Sequence, residues 1–135
     1  MTKPINLAIV GCGTVGAACA ELLVHEQAIL QTRTQARINL KYIVDIDFSN
    51  ARKHKLSPEL FCEDYEVVLQ DDSIAIIVEL IGGLTTARGI IEKALTAKKH
   101  VVTANKALLA HHGIELLALA RKNNVCLCFE ASCGG

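Results

Sequence analysis

Tryptophan is missing from the 135 residues, and aromatic side chains make up only 4% of them. A site that stacks bases or cages a ligand in aromatic rings has little here to be built from. Net charge is missing as well: 14 Lys and Arg balance 14 Asp and Glu. That balance withholds electrostatic support from nucleic-acid or membrane-surface binding. Six cysteines, at 12, 19, 62, 126, 128 and 133, include no Cys-x-x-Cys pair. A zinc site therefore lacks its spacing, and so apolar a chain has no need of a disulfide framework. Reduced thiols in a cytoplasmic protein are expected. No stretch reaches the ~20 uninterrupted apolar residues of a membrane span. The start, "MTKPINLAIVGCGTVGAACA", imitates a secretory signal, but Gly11-Cys-Gly-Thr-Val-Gly16 interrupts it and has a better explanation.

What remains is a globular composition, 51% hydrophobic and 21% charged, in a chain long enough for one domain over residues 1–135. Internal repeats and low-complexity linkers are absent. Ile5 to Val10 reads as a buried strand, and Thr14 to about Leu30 as a helix. Strands follow at Ile38 to Asp47, Ile74 to Ile81, His100 to Thr103 and Val125 to Glu130. Between them, helices are expected near Asp64 to Leu69, from a Thr85 or Thr86 cap to about Ala97, and over Ala107 to Lys122. Cys126 and Cys128 share a strand face and are expected in the core. Near-continuous apolar strands alternating with helices predict an α/β fold: a Rossmann-type, doubly wound parallel sheet with helices on both faces. Such sheets bind ligands beyond the carboxyl ends of their strands. Gly11 to Gly16, Asp45, Gly82-Gly83, Asn105-Lys106 and Ser132 to Gly135 all fall just past a strand end.

Gly11-x-Gly13-x-x-Gly16 follows a strand and opens a helix, the context of a dinucleotide-binding loop. Gly11 permits the tight turn, Gly13 admits the pyrophosphate, and Gly16 lets helix and strand pack closely. The helix N-terminus adds free N–H groups and a positive dipole end. The same glycines also suit a purely structural turn. An acid at the end of the second strand accepts a hydrogen bond from the adenosine ribose and repels a 2′-phosphate. Asp45 is the better placed candidate and Asp47 the alternate, so NAD is expected over NADP. Arg52, Lys53 and Lys55 keep NADP possible, and a merely solvated carboxylate is the bland reading. Lys106, at a strand's carboxyl end, is placed to bind a carbonyl or the nicotinamide side, and desolvation there would suit it to proton transfer. By position alone a solvated lysine fits equally. Glu79, inside an apolar strand, needs partners; a loop cap is favoured over catalysis. The five histidines lack ligand spacing. Cys133 is compatible with a nucleophile or a small buried side chain.

Taken together, "AIVGCGTVG", "IVELIGG", "VVTANKALLA" and "FEASCGG" resemble the N-terminal half of homoserine dehydrogenase, in order and spacing along nearly the whole chain. The resemblance implies NAD(P)-dependent interconversion of L-aspartate 4-semialdehyde and L-homoserine, on the route to threonine and methionine. It matches Gly11, Gly13, Thr14, Val15 and Gly16 to the cofactor loop. Gly82 and Gly83 join the cofactor set by position. Thr103 and Lys106 match strand-end positions beside the nicotinamide, and Lys106 a lysine implicated in catalysis. Ile46 stands where NADP-preferring members often carry arginine. Cys133 takes the place of a usual valine and is followed by glycines, which speaks against a nucleophile. Glu130, Cys133 and Gly135 match a segment that binds sodium in some members. The resemblance further implies a substrate domain outside this chain and a homo-oligomeric intact protein. Competing readings are a Cys133-dependent dehydrogenase of the semialdehyde or glyceraldehyde-phosphate type and a non-catalytic NAD-sensing module.

Overall fold

The computed structural model describes residues 4–129. Six parallel strands form one sheet in the order β3-β2-β1-β4-β5-β6. They are β1 (Ile5–Val10), β2 (Ile38–Val44), β3 (Phe61–Cys62), β4 (Ile74–Glu79), β5 (His100–Thr103) and β6 (Leu127–Phe129). The helices are α1 (Thr14–His25), α2 (Gln27–Thr34), α3 (Ser49–Lys53), α4 (Tyr65–Gln70), α5 (Thr85–Thr96) and α6 (Lys106–Lys122). This strand order winds outward in both directions from β1, so the crevice between β1 and β4 is the topological switch point.

Alternation along β1 explains why both faces are covered. Leu7 and Ile9 point to one side, where Ala17, Ala20 and Leu23 of α1 and Ala51 of α3 meet them. Ala8 and Val10 point to the other, against Ala87 and Ile91 of α5 and Leu108 and Leu116 of α6. The small side chains of Ala17 and Ala20 on α1 and of Ala87 and Ala94 on α5 let these helices approach the sheet closely, and all four are fully buried.

Several expected boundaries shift. The first helix breaks at Glu26 (φ −110°, ψ 35°) and resumes as α2. The second strand ends at Val44, because the Asp45 carboxylate takes the Ile46 N–H at 2.6 Å and turns the chain. β4 ends at Glu79, where its own carboxylate captures the next loop. Neither Thr85 nor Thr86 caps α5: Leu84 is already helical at the cap position and no side chain bonds there. The sequence reading missed β3, a two-residue edge strand paired with Ile43 and Val44. Cys126 and Cys128 do share a face, but among the described residues nothing covers it. Both are exposed, while Val125 and Leu127 turn to the core.

Candidate functional site

The site begins with the turn after β1. Gly11 adopts φ +110°, and a Cβ there would meet the backbone of Leu80 and Ile81 at 2.8–2.9 Å. Gly16 is tighter still, since a Cβ would lie 1.9 Å from the Gly11 carbonyl oxygen. Only glycine fits at either position. Gly13 differs: its φ of −79° is ordinary, and a Cβ would meet nothing within 4 Å. Its bare face looks onto open space, which is what a ligand approaching the backbone needs. Gly13 is also the N-cap of α1, and no side chain caps that helix. Thr14 and Val15 are exposed in its first turn, Val15 at 64%. The amides of that turn are left for a ligand or water.

Asp45 braces this turn from β2. Its Oδ2 accepts the Cys12 N–H at 2.5 Å, while Oδ1 accepts from Ile46. The carboxylate is half-buried, beside the glycine loop at the switch point. Asp47 is turned elsewhere: its Oδ1 accepts from the Ser49 N–H at 2.9 Å and the Ser49 hydroxyl at 2.5 Å. Those bonds hold its carboxyl below the usual range. Between the two candidates, Asp45 is therefore the one placed at the loop. Burial pushes the Cys12 thiol up; a hydrogen bond with the Ala51 backbone opposes this, and Asp45 and Asp47 reinforce it. Cys12 is a packed side chain, not a reactive one.

Across the crevice, an open cleft of about 280 Å³ is lined by Val15, Glu79, Leu80, Gly82, Ala104, Asn105 and Lys106. Gly82 and Gly83 both adopt positive φ, +77° and +76°, and carry the chain from β4 over the cleft. Glu79 caps that loop. Its Oε2 accepts from the N–H groups of Ile81 (2.8 Å) and Gly82 (3.1 Å), and its Oε1 from the Thr103 hydroxyl (2.6 Å). Thr103 is fully buried, so its side chain supports the cleft without lining it. Its Oγ1 accepts the Asn105 N–H at 3.1 Å. Asn105 then caps α6 by accepting from Leu108 N–H at 3.0 Å, and its Nδ2 donates to the Gly83 carbonyl at 2.6 Å. Lys106 follows as the first residue of α6, exposed at the cleft. The burial that a desolvated Lys106 requires is not supplied by the described residues.

The structure thus gathers Gly11 to Gly16, Asp45, Gly82, Gly83 and Lys106 along one sheet edge. Asn105 as the tie between two loops was not foreseen, although an asparagine directly before a helix is a capping signal. Glu130, Cys133 and Gly135 lie outside the described residues. Among those described, no group of three or more His, Cys, Asp or Glu is arranged around a metal position, and no helix is long and apolar enough to cross a membrane.

Residues 11–130 match the family profile described as "Homoserine dehydrogenase, NAD binding domain". The chain belongs to the homoserine dehydrogenase family. It is 40% identical over its whole length to the homoserine dehydrogenase of Helicobacter pylori, of which it covers 31%. A solved homoserine dehydrogenase from S. aureus superposes with a TM-score of 0.84 at 40% identity, over 96% of this chain and 34% of that one. For the homoserine dehydrogenase of Thiobacillus denitrificans the TM-score is 0.87 at 34% identity, covering 97% and 30%. The chain spans roughly 30% of the length of these relatives, and what it corresponds to is the NAD-binding domain of a homoserine dehydrogenase.

Proposed function

We propose that this domain serves the NAD(P)-dependent interconversion of L-aspartate 4-semialdehyde and L-homoserine, with NAD preferred. The carrying observation is the open backbone at Gly13 beside an uncapped helix start and the Asp45 carboxylate. When bound, the nicotinamide cofactor supplies or accepts the hydride. The chain's own residues bind and orient it. Gly13 and the first-turn amides of α1, with Thr14 and Val15, receive the pyrophosphate. Asp45 accepts a hydrogen bond from the adenosine ribose and repels a 2′-phosphate. The nicotinamide end takes the cleft between the Gly82-Gly83 loop and the turn after Thr103. Lys106 faces it as the ammonium that holds a cofactor or substrate oxygen. Family membership favours this reading over a Cys133-dependent aldehyde dehydrogenase or an NAD-sensing module. A cytoplasmic, homo-oligomeric intact enzyme follows from the same reading. The sodium site at Glu130, Cys133 and Gly135 rests on the resemblance alone.

Calorimetric titration with NAD, NADH, NADP and NADPH tests it. NAD(H) is expected to bind more tightly than NADP(H), and Asp45→Asn to narrow the gap. Asparagine is the better probe than alanine, because its amide oxygen can still accept the Cys12 N–H. Equal or tighter NADP binding by the wild type overturns the preference, and no nucleotide binding at all overturns the function.

A further inference from the structure

We infer that Glu79 is a positioning residue for the nicotinamide end of the cofactor, a step that rests on the cofactor reading above. Its carboxylate is 1% exposed, in a strand that is otherwise apolar. A buried carboxylate is costly unless its oxygens are occupied by donors. Here they are, and the donors come from two different loops. Oε2 holds the Ile81 and Gly82 amides of the loop after β4, and Oε1 holds Thr103 at the end of β5. Thr103 passes the constraint to Asn105, which grips Gly83 and starts the helix that carries Lys106. Both walls of the cleft, Gly82 on one side and Asn105-Lys106 on the other, are therefore referred to one side chain. The two acceptor oxygens of one carboxylate take donors from both sides at once. The adenosine half of the crevice is braced separately, by Asp45 on the Cys12 amide.

That separation makes a selective test possible with this chain. NADH and ADP-ribose share the adenosine and pyrophosphate, but ADP-ribose lacks the nicotinamide ring. Glu79→Ala is expected to weaken NADH about tenfold, the scale of one lost charge-assisted hydrogen bond, and ADP-ribose by less than about twofold. Glu79→Gln is expected to recover most of the loss. Its amide oxygen can serve Ile81 and Gly82, while its NH2 group meets a Thr103 hydroxyl able to accept. Equal losses for both ligands, or no loss for either, overturn the inference and leave Glu79 a purely structural cap. Should Glu79→Ala fail to fold, Thr103→Val cuts the same link with little change of volume. The nicotinamide-selective loss is expected there too, and an equal loss overturns the inference. Failure of the wild type to bind even ADP-ribose would instead overturn the cofactor reading, and this inference with it.

Discussion

The glycines of the first turn do separate jobs, and single methyl groups distinguish them. At Gly16 a methyl would sit 1.9 Å from the Gly11 carbonyl oxygen, so either the turn or the start of α1 must move. Gly16→Ala is expected to cost about 3 kcal/mol, toward the top of the overpacking range, read as a lowered denaturant midpoint. At Gly13 the methyl meets nothing, and the backbone angle suits any residue. Gly13→Ala is expected to leave the midpoint within about 0.5 kcal/mol of wild type. Yet it should weaken NADH at least tenfold, because the methyl occupies the space the pyrophosphate needs. A Gly13→Ala chain that binds NADH as well as wild type would place the phosphates elsewhere. The tight turn at Gly11 and the close packing at Gly16 were legible in the sequence because a strand, three spaced glycines and a helix leave little choice of geometry. Asp45 was legible as a strand-end acid. Its grip on the Cys12 amide was not, since nothing in sequence spacing reports a contact between residues 33 apart.

At the scale of elements, the strands with strong apolar runs were readable, and errors fell where local chemistry ended them. β2 and β4 both stop short because a carboxylate folds back on the next amides, an effect invisible to hydrophobic periodicity. β3 has two residues, too few to show any period. The faces of β6 were misassigned because an edge strand followed by no described helix leaves one side bare. The loops on the amino-terminal side of β4 are pinned by a polar cluster instead. The Asp71 carboxylate accepts from Lys41 Nζ at 2.6 Å, from the Tyr42 hydroxyl at 2.8 Å and from Ser73 through its N–H and hydroxyl. The buried Lys99 ammonium donates to the carbonyls of Asp71 and Ile74, joining the turn before β4 to the turn before β5. The Lys41 hydrogen bond, with Ser73 next, holds the Asp71 carboxyl well below the usual carboxylate range. Its folded value is thus lower than the roughly 3.9 of an unfolded aspartate. The stabilisation is fully present above about pH 4 and is lost as the pH falls through the folded value. Asp71→Asn is therefore expected to melt below wild type at pH 6, with the gap closing toward pH 2. A gap that stays constant with pH would show that the charge of Asp71 contributes nothing.

For the whole molecule, the question is how much of the reaction the chain can perform alone. Under the proposed function the crevice gives a dinucleotide a complete path, from Asp45 across the glycine turn to the cleft. A substrate is offered far less. Homoserine carries an ammonium and a carboxylate, and holding both needs an acceptor and a donor that the cofactor has not claimed. Around the cleft, both Glu79 oxygens are committed to Ile81, Gly82 and Thr103, and Asn105 is committed to Gly83 and Leu108. Among the described residues that line the cleft, Lys106 is the one charged side chain left exposed. One ammonium can meet one oxygen but cannot orient a zwitterion or exclude water from the hydride path. The relatives are about three times longer than this chain, with room for the missing contacts elsewhere in their length. Purified alone, the chain is accordingly expected to bind NADH, seen as a shift in nicotinamide fluorescence, while forming no NADH from NAD and homoserine above the enzyme-free rate. Homoserine-dependent NADH formation that disappears in Lys106→Met would show instead that the cleft and its lysine suffice for the chemistry.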